Sequence, residues 1–306
     1  MIDEASKKET VTGMPALEKL TFGMQRNART VEIISAVNDD AVLTSCLLIS
    51  PDLVRCGPVV AQRGWQSASL AYNDAIDQSA ADVMVFVHQD VFLPAGWLDK
   101  LIAALAELDR RNPEWGVLGV YGMTDRGSRK GWVYSVGLGA ILGADFIGVE
   151  PVRTLDEVLL VIRRSSGLRF DAALPGFHMY ATDLCLTAER QGLQNYVIPA
   201  FVLHNSNGIR RLGSDFWEAC DFIRWKWNAV LPVESPCTTV MASRWLQNYQ
   251  RLRRWIDFSL RRKPVGRRVP DSESLYAHLM AVGLLNRPFA YPSRVVEERL
   301  PDAVSR

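Results

Sequence analysis

Four groups of polar side chains each close a short apolar run: Asn38-Asp39-Asp40, Gln62-Arg63, His88-Gln89-Asp90 and His204-Asn205-Ser206. In an open parallel sheet, ligands bind just outside the carboxyl ends of the strands, so these groups mark where chemistry is expected. Asp90 is the leading candidate. A carboxylate there can hold a hard divalent cation, which in turn neutralises a diphosphate. The plainer alternative is a loop or capping aspartate ahead of Pro94. His204 alone reads as a structural histidine; it becomes a ligand only where it meets Asp90 in space. One carboxylate and one imidazole suit Mn²⁺ or Mg²⁺ completed by phosphate oxygens and water. No third or fourth nitrogen or sulfur ligand is placed beside them by the sequence, which disfavours zinc. GxxxxGK[ST], a GxGxxG after the first strand and GxSxG are all missing, so P-loop, dinucleotide-binding and serine-hydrolase readings lack their motifs.

The elements that must position these groups follow from hydrophobic period. Val31–Val37 is a β-branched run, read as a buried strand. Ala41–Ser50 is a helix candidate stopped by Pro51, and Pro58–Gln62 a second strand. Ser67–Gln78 carries Ala68, Ala71, Tyr72, Ala75 and Ile76 at helical spacing. Val83–Val87 is apolar on both faces, as a central parallel strand should be. Pro94–Leu108 is an amphipathic helix, and Trp115–Tyr121 another strand. This alternation predicts an α/β fold, a right-handed, doubly wound, mostly parallel sheet flanked by helices. Further on, Val133–Val149 reads as Gly-rich β structure in the core, and Glu157–Ile162 as a strand. Ala181–Gln191 reads as a helix, Tyr196–Leu203 as a strand ending at His204, and Asp215–Val230 as a helix.

The chain has 306 residues, enough for one large core or two modest ones, and 48% are hydrophobic, which excludes disorder as a description of the whole. The net charge of +1 argues against a global polyanion binder. That total hides an asymmetry. Residues 243–268 hold nine basic residues against one acidic, a charge of +8, leaving −7 on the rest. Trp245, Leu246, Tyr249, Leu252, Trp255, Ile256 and Leu260 fall near one helical face of that segment. A basic amphipathic helix with tryptophans is a membrane-interface signature. Packing across the chain's own domain, or in a homodimer interface, is the alternative. No nucleic-acid-binding module accompanies the patch. Five cysteines without CxxC spacing read as reduced thiols of a cytoplasmic protein, peripheral at most at the inner face of a membrane. No secretory signal is visible in Met1–Thr12.

Five ordered segments carry a family resemblance. Phe86–Leu101 (FVHQDVFLPAGWLDKL) resembles the metal-binding segment of nucleotide-sugar glycosyltransferases of the family 2 type, in the His-Gln-Asp form of the branch named after a streptomycin-biosynthesis protein. Ser69–Ile76 is similar to the helix that precedes it. Leu174–Gly192 resembles the family's second signature, and Val197–Gly208 the strand that delivers a metal-ligand histidine. Phe222–Val233 looks like the segment that follows. The resemblance covers about residues 30–233 and implies the GT-A fold, with residues 1–28 as an arm, 29–235 as the catalytic domain and 236–306 as a basic helical extension.

What the resemblance implies is a metal-dependent, inverting transfer of a sugar from a nucleoside-diphosphate sugar to a hydroxyl on a saccharide or lipid-linked acceptor. Such an activity fits surface polysaccharide or glycolipid assembly. Asp90 and His204 are then the metal ligands, and Asn38, Asp39, Gln62, Asn73, Gln89 and Asp90 line the donor pocket. Trp132, His178 and Tyr180 are candidates for acceptor contact, each with structural packing as the plain alternative. One departure stands out: the aspartate that usually serves as general base falls on Ala181, which cannot accept a proton. Three readings follow: Asp183 takes the role, Ala181 is an introduced change, or the chain is a weak or silent sugar-nucleotide-binding homologue.

Overall fold

The all-apolar strand and its neighbours set the architecture. The computed structural model describes residues 29–208, 212–260 and 266–286. The expected arm 1–28 and the end of the extension, 287–306, lie outside the described residues.

In chain order, β1 (Val31–Val37) leads to α1 (Asp40–Ser45), whose N-cap Asp39 accepts from the Ala41 and Val42 amides. The expected helix to Ser50 breaks at Cys46, and two short 3₁₀ turns replace its end. Then come β2 (Val60–Arg63), α2 (Ala68–Gln78, capped by the Ser67 hydroxyl), β3 (Val83–Val87), β4 (Val91–Phe92), α3 (Trp97–Arg111), β5 (Trp115–Gly119) and β6 (Tyr121–Met123). β7 (Arg129–Ser135) and β8 (Ala140–Gly143) form a hairpin, followed by β9 (Glu150–Val152), β10 (Thr154–Leu155) and β11 (Leu159–Arg163). The remainder is α4 (Tyr180–Arg190), β12 (Gln194–Val197), β13 (Val202–His204), α5 (Ser214–Lys226), the pair β14 (Val233–Glu234) and β15 (Thr239–Val240), α6 (Arg244–Leu260) and α7 (Ser272–Ala281).

The main sheet has the order β2-β1-β3-β11-β5-β12-β9. β2, β1, β3, β5 and β12 share one direction, and β11 and β9 oppose them. The expected α/β fold, a mostly parallel sheet flanked by helices, is therefore present. One face of the sheet packs against α2, α4 and α5, the other against α1 and α3. Leu101, Leu105 and Leu108 of α3 are buried, each worth about 1.5–3 kcal/mol of transfer free energy.

A second sheet, β10-β6-β7-β13-β4, carries its own core with Phe92, Tyr134, Phe201, Leu203 and Leu279 of α7. It corrects two expectations. The run Tyr196–Leu203 is two strands, because Ile198-Pro199-Ala200 turns the chain from the main sheet into the second one. Val133–Val149 is buried only at its two ends; Leu138 in the hairpin turn is 65% exposed, and Ile147, after β8, is fully exposed.

Candidate active site

Strand register builds the site. β3 ends at Val87, and the next three residues are His88, Gln89 and Asp90 before β4 begins. β13 pairs antiparallel with β4, setting His204 opposite Val91. The Asn205 amide then donates to the Asp90 carbonyl at 2.8 Å. His204 is thereby carried against the end of β3, and its Nε2 lies 3.3 Å from Asp90 Oδ1. His88, Asp90 and His204 bring one ligand atom each to within 4.8 Å of one another. Asp90 and His204 meet as expected; His88 is a third member that residue-type reasoning passed over. Its signal was its place two residues before Asp90, at the end of the same strand.

The electrostatics follow from burial and pairing. Burial alone pushes the Asp90 carboxyl up, but the His204 imidazole beside it, with His88 and Arg268, outweighs this and holds it well below the usual carboxylate range. Burial likewise disfavours the His204 imidazolium, yet the Asp90 carboxylate raises that group above its ordinary value. At His88 burial outweighs the pull of the Asp90 carboxylate and, with His204 and His178 nearby, takes the imidazole down to about 4. It is a neutral imidazole at pH 7. Its Nε2 lies 2.9 Å from the Tyr180 hydroxyl, which donates to the Glu157 carbonyl at 3.1 Å. With Nε2 engaged by the Tyr180 hydroxyl, Nδ1 is the His88 ring nitrogen left to face a cation. Two neutral or neutralisable imidazoles and one carboxylate form a donor set suited to a divalent cation such as Mn²⁺.

Tyr180 is thus the residue that orients His88. It is 2% exposed and starts α4 directly after Met179, whose φ of 64° is left-handed. A non-glycine residue there carries strain.

Arg268 comes from the extension. Its Nη2 lies 3.2 Å from Asp90 Oδ2, and its Nε donates to the Asn205 carbonyl. The buried Asn205 amide holds this segment: its Nδ2 donates to the Val269 carbonyl and the Ser272 hydroxyl, and its Oδ1 accepts from the Val269 amide. In sequence Arg268 was one charge of a basic tail, and nothing local marked its contact with Asp90.

The other strand-end groups gather at the same edge. Gln89 Oε1 accepts from the Asn38 and Asp39 amides at 3.0 and 3.1 Å, tying the ends of β1 and β3 together. Asp39 caps α1, and Gln62 Oε1 accepts from Trp65 Nε1. Asn73 has a different task from the one expected. Its Nδ2 donates to the Phe170 carbonyl and its Oδ1 accepts from the Phe170 amide, so it staples α2 to the segment before α4. Trp132 packs on Phe201, centroids 5.0 Å apart, at the margin of the second core. His178 lies 3.3 Å from Asp215 and packs edge-on to Phe216.

The two positions of the second signature are both enclosed. Ala181 is fully buried. Asp183 is 1% exposed, with its oxygens held by Lys226 Nζ at 2.8 Å and Trp227 Nε1 at 2.7 Å; Lys226 also reaches Asp171 at 2.6 Å. Burial pushes the Asp183 carboxyl above the usual range against the pull of Lys226. This geometry makes Asp183 an anchor between α4 and the end of α5, in place of the base expected at that position.

Residues 32–207 match the sequence profile of the glycosyltransferase-like family, and the chain belongs to that family. A protein of Fuscovulum blasticum, ATP synthase subunits region ORF 6, is 33% identical over 134 residues, 41% of this chain and 52% of that protein. The chain spans about half the length of that relative. Among solved structures, S. aureus TarS 1-349 is similar over 76% of this chain and 73% of its own, at 13% identity and a TM-score of 0.43. GalNAc-T7 with UDP, GalNAc and Mn²⁺ is similar over 84% of this chain and 58% of its own, at 9% identity and a TM-score of 0.43.

Proposed function

We propose that the protein transfers a sugar from a nucleoside-diphosphate sugar to a hydroxyl acceptor, by single displacement with inversion at the anomeric carbon. The observation that carries this reading is the convergence of His88, Asp90 and His204 at the strand ends of a glycosyltransferase-like family domain. These three residues would hold a divalent cation, Mn²⁺ or Mg²⁺, whose charge stabilises a departing diphosphate. Arg268 stands beside Asp90 with a guanidinium that can pair with phosphate oxygens in a fixed fork. Asn38, Asp39, Gln62 and Gln89 face the nucleotide from the neighbouring strand ends, and His178 lies on the acceptor side. The acceptor is a saccharide or a lipid-linked saccharide.

A second reading, donor binding without transfer, is favoured by Ala181 and by the enclosed Asp183. One experiment separates the two. Nucleoside diphosphate release is measured from a panel of UDP-, GDP- and dTDP-sugars with Mn²⁺ and candidate acceptors, in the natural chain and in Asp90→Ala and His204→Ala. Transfer requires acceptor-dependent release that both variants abolish. Donor binding without release establishes the second reading, and metal-dependent release that persists in both variants overturns the site.

A further inference from the structure

Helix α6 is turned inside out. Its body-facing side is polar: Gln247 is 4% exposed and accepts from the Met241 amide at 2.8 Å, and the Arg251 guanidinium lies over the Trp217 ring at 5.4 Å. Its apolar side faces solvent. Trp245, Tyr249, Leu252 and Ile256 are spaced four, three and four residues apart, which at 3.6 residues per turn places them in one narrow stripe. All four are exposed, Trp245 by 72%, and the Trp245 and Tyr249 rings stack at 6.0 Å. An amphipathic helix whose stripe served its own core would show the reverse orientation.

We infer that the Trp245-Tyr249-Leu252-Ile256 stripe of α6 docks on an anionic lipid surface. Charge decides the occupant. Arg244 and Arg253 are themselves exposed, and residues 243–268 carry +8 in total in the sequence. Two copies meeting through α6 would bring together two net-positive segments, whereas an anionic leaflet neutralises them. Aromatic rings and arginines bracketing an aliphatic stripe fit the headgroup boundary, where rings and guanidinium groups keep a wet edge. The helix also leads, within the same extension, to Arg268 on Asp90. Docking would therefore hold the strand-end site close to the surface on which a lipid-linked acceptor lies, a consequence that rests on the transferase reading. The surface itself does not.

The test is co-sedimentation of the full chain with vesicles of phosphatidylglycerol and phosphatidylcholine mixed, against phosphatidylcholine alone. Expected is partition onto anionic vesicles about tenfold or more above neutral ones, falling as salt rises. Trp245→Ser/Leu252→Ser should lose about tenfold of that partition, and Arg244→Gln/Arg253→Gln should flatten its salt dependence. Unchanged thermal melting shows that both variants fold, as solvent-facing substitutions should. Equal partition onto neutral and anionic vesicles, absence of partition onto either, or a concentration-dependent dimer abolished by Trp245→Ser/Leu252→Ser would each overturn the inference. Nucleotide binding, measured separately on the same samples, reports on the strand-end site, so a failed docking surface and a failed donor site are distinguishable.

Discussion

Lys226→Met tests the assignment of Asp183 as an anchor. In the folded chain, Lys226 is 15% exposed and bonds both Asp183 and Asp171, while Asp183 is 1% exposed. Removing the ammonium leaves a carboxylate enclosed with only the Trp227 indole N–H as a partner. Breaking one side of such a pair costs about 3–5 kcal/mol, against about 0–1 kcal/mol for a surface pair. The sign of the pH dependence follows from the carboxyl itself. Burial already sets it above the ordinary carboxylate value, with Lys226 pulling the other way; without Lys226 it moves further up. A group raised in the folded state favours folding below its unfolded value, and that contribution is lost as pH rises through the folded one. The deficit of Lys226→Met should therefore be largest at neutral pH and shrink as the pH falls through the carboxyl's raised folded range, by up to about 1.4 kcal/mol per pH unit. Urea unfolding of both chains across that range measures it. Asp183→Asn/Lys226→Met should recover much of the loss. A deficit below about 1 kcal/mol that is flat with pH would refute the enclosed-anchor reasoning.

Three further outcomes are expected. Burial, reinforced by Asp156, pushes Glu157 up to about 8, so its protonated form favours folding at low pH and that contribution is lost as pH rises toward about 8; Glu157→Gln should flatten the stability profile between about pH 5 and 8, read by thermal melting. Asn205→Ala strands the Val269 amide and carbonyl and should cost about 2–4 kcal/mol in urea unfolding, with weaker nucleoside diphosphate binding because Arg268 rides on the same segment. Tyr180→Phe removes the hydroxyl that fixes the His88 ring and should weaken Mn²⁺ binding about tenfold, measured by electron paramagnetic resonance of the free ion.

β1 and β3 were legible because each is a short β-branched run, and α2 and α3 because each shows an apolar face. Asp90 and His204 were legible because both terminate such runs. What the sequence could not show were contacts made across long separations. The pairing of β13 with β4 is what brings His204 to Asp90, and two-residue strands such as Val91–Phe92 carry no period to read. The turn at Ile198–Ala200 was marked only by Pro199 inside an otherwise apolar run. The bonds of Asn73 to backbone atoms of Phe170 were not legible, since no residue pattern announces them. Asp183 looked available because its partners, Lys226 and Trp227, sit more than forty residues away in sequence. The tail's apolar face was readable as a face, but only its packing reveals that it points outward.

The proposed function stands on His88, Asp90 and His204 forming one cation site that recruits a nucleoside diphosphate. Isothermal titration of UDP, GDP and dTDP into the chain, with and without Mn²⁺, tests it most directly. The account predicts that one of these nucleotides binds with Mn²⁺ at least about tenfold more tightly than without it, and that Asp90→Asn and His204→Ala each remove the Mn²⁺ effect while leaving the melting transition cooperative. Nucleotide binding of equal affinity with and without Mn²⁺, or a Mn²⁺ effect that survives in both variants, would contradict it.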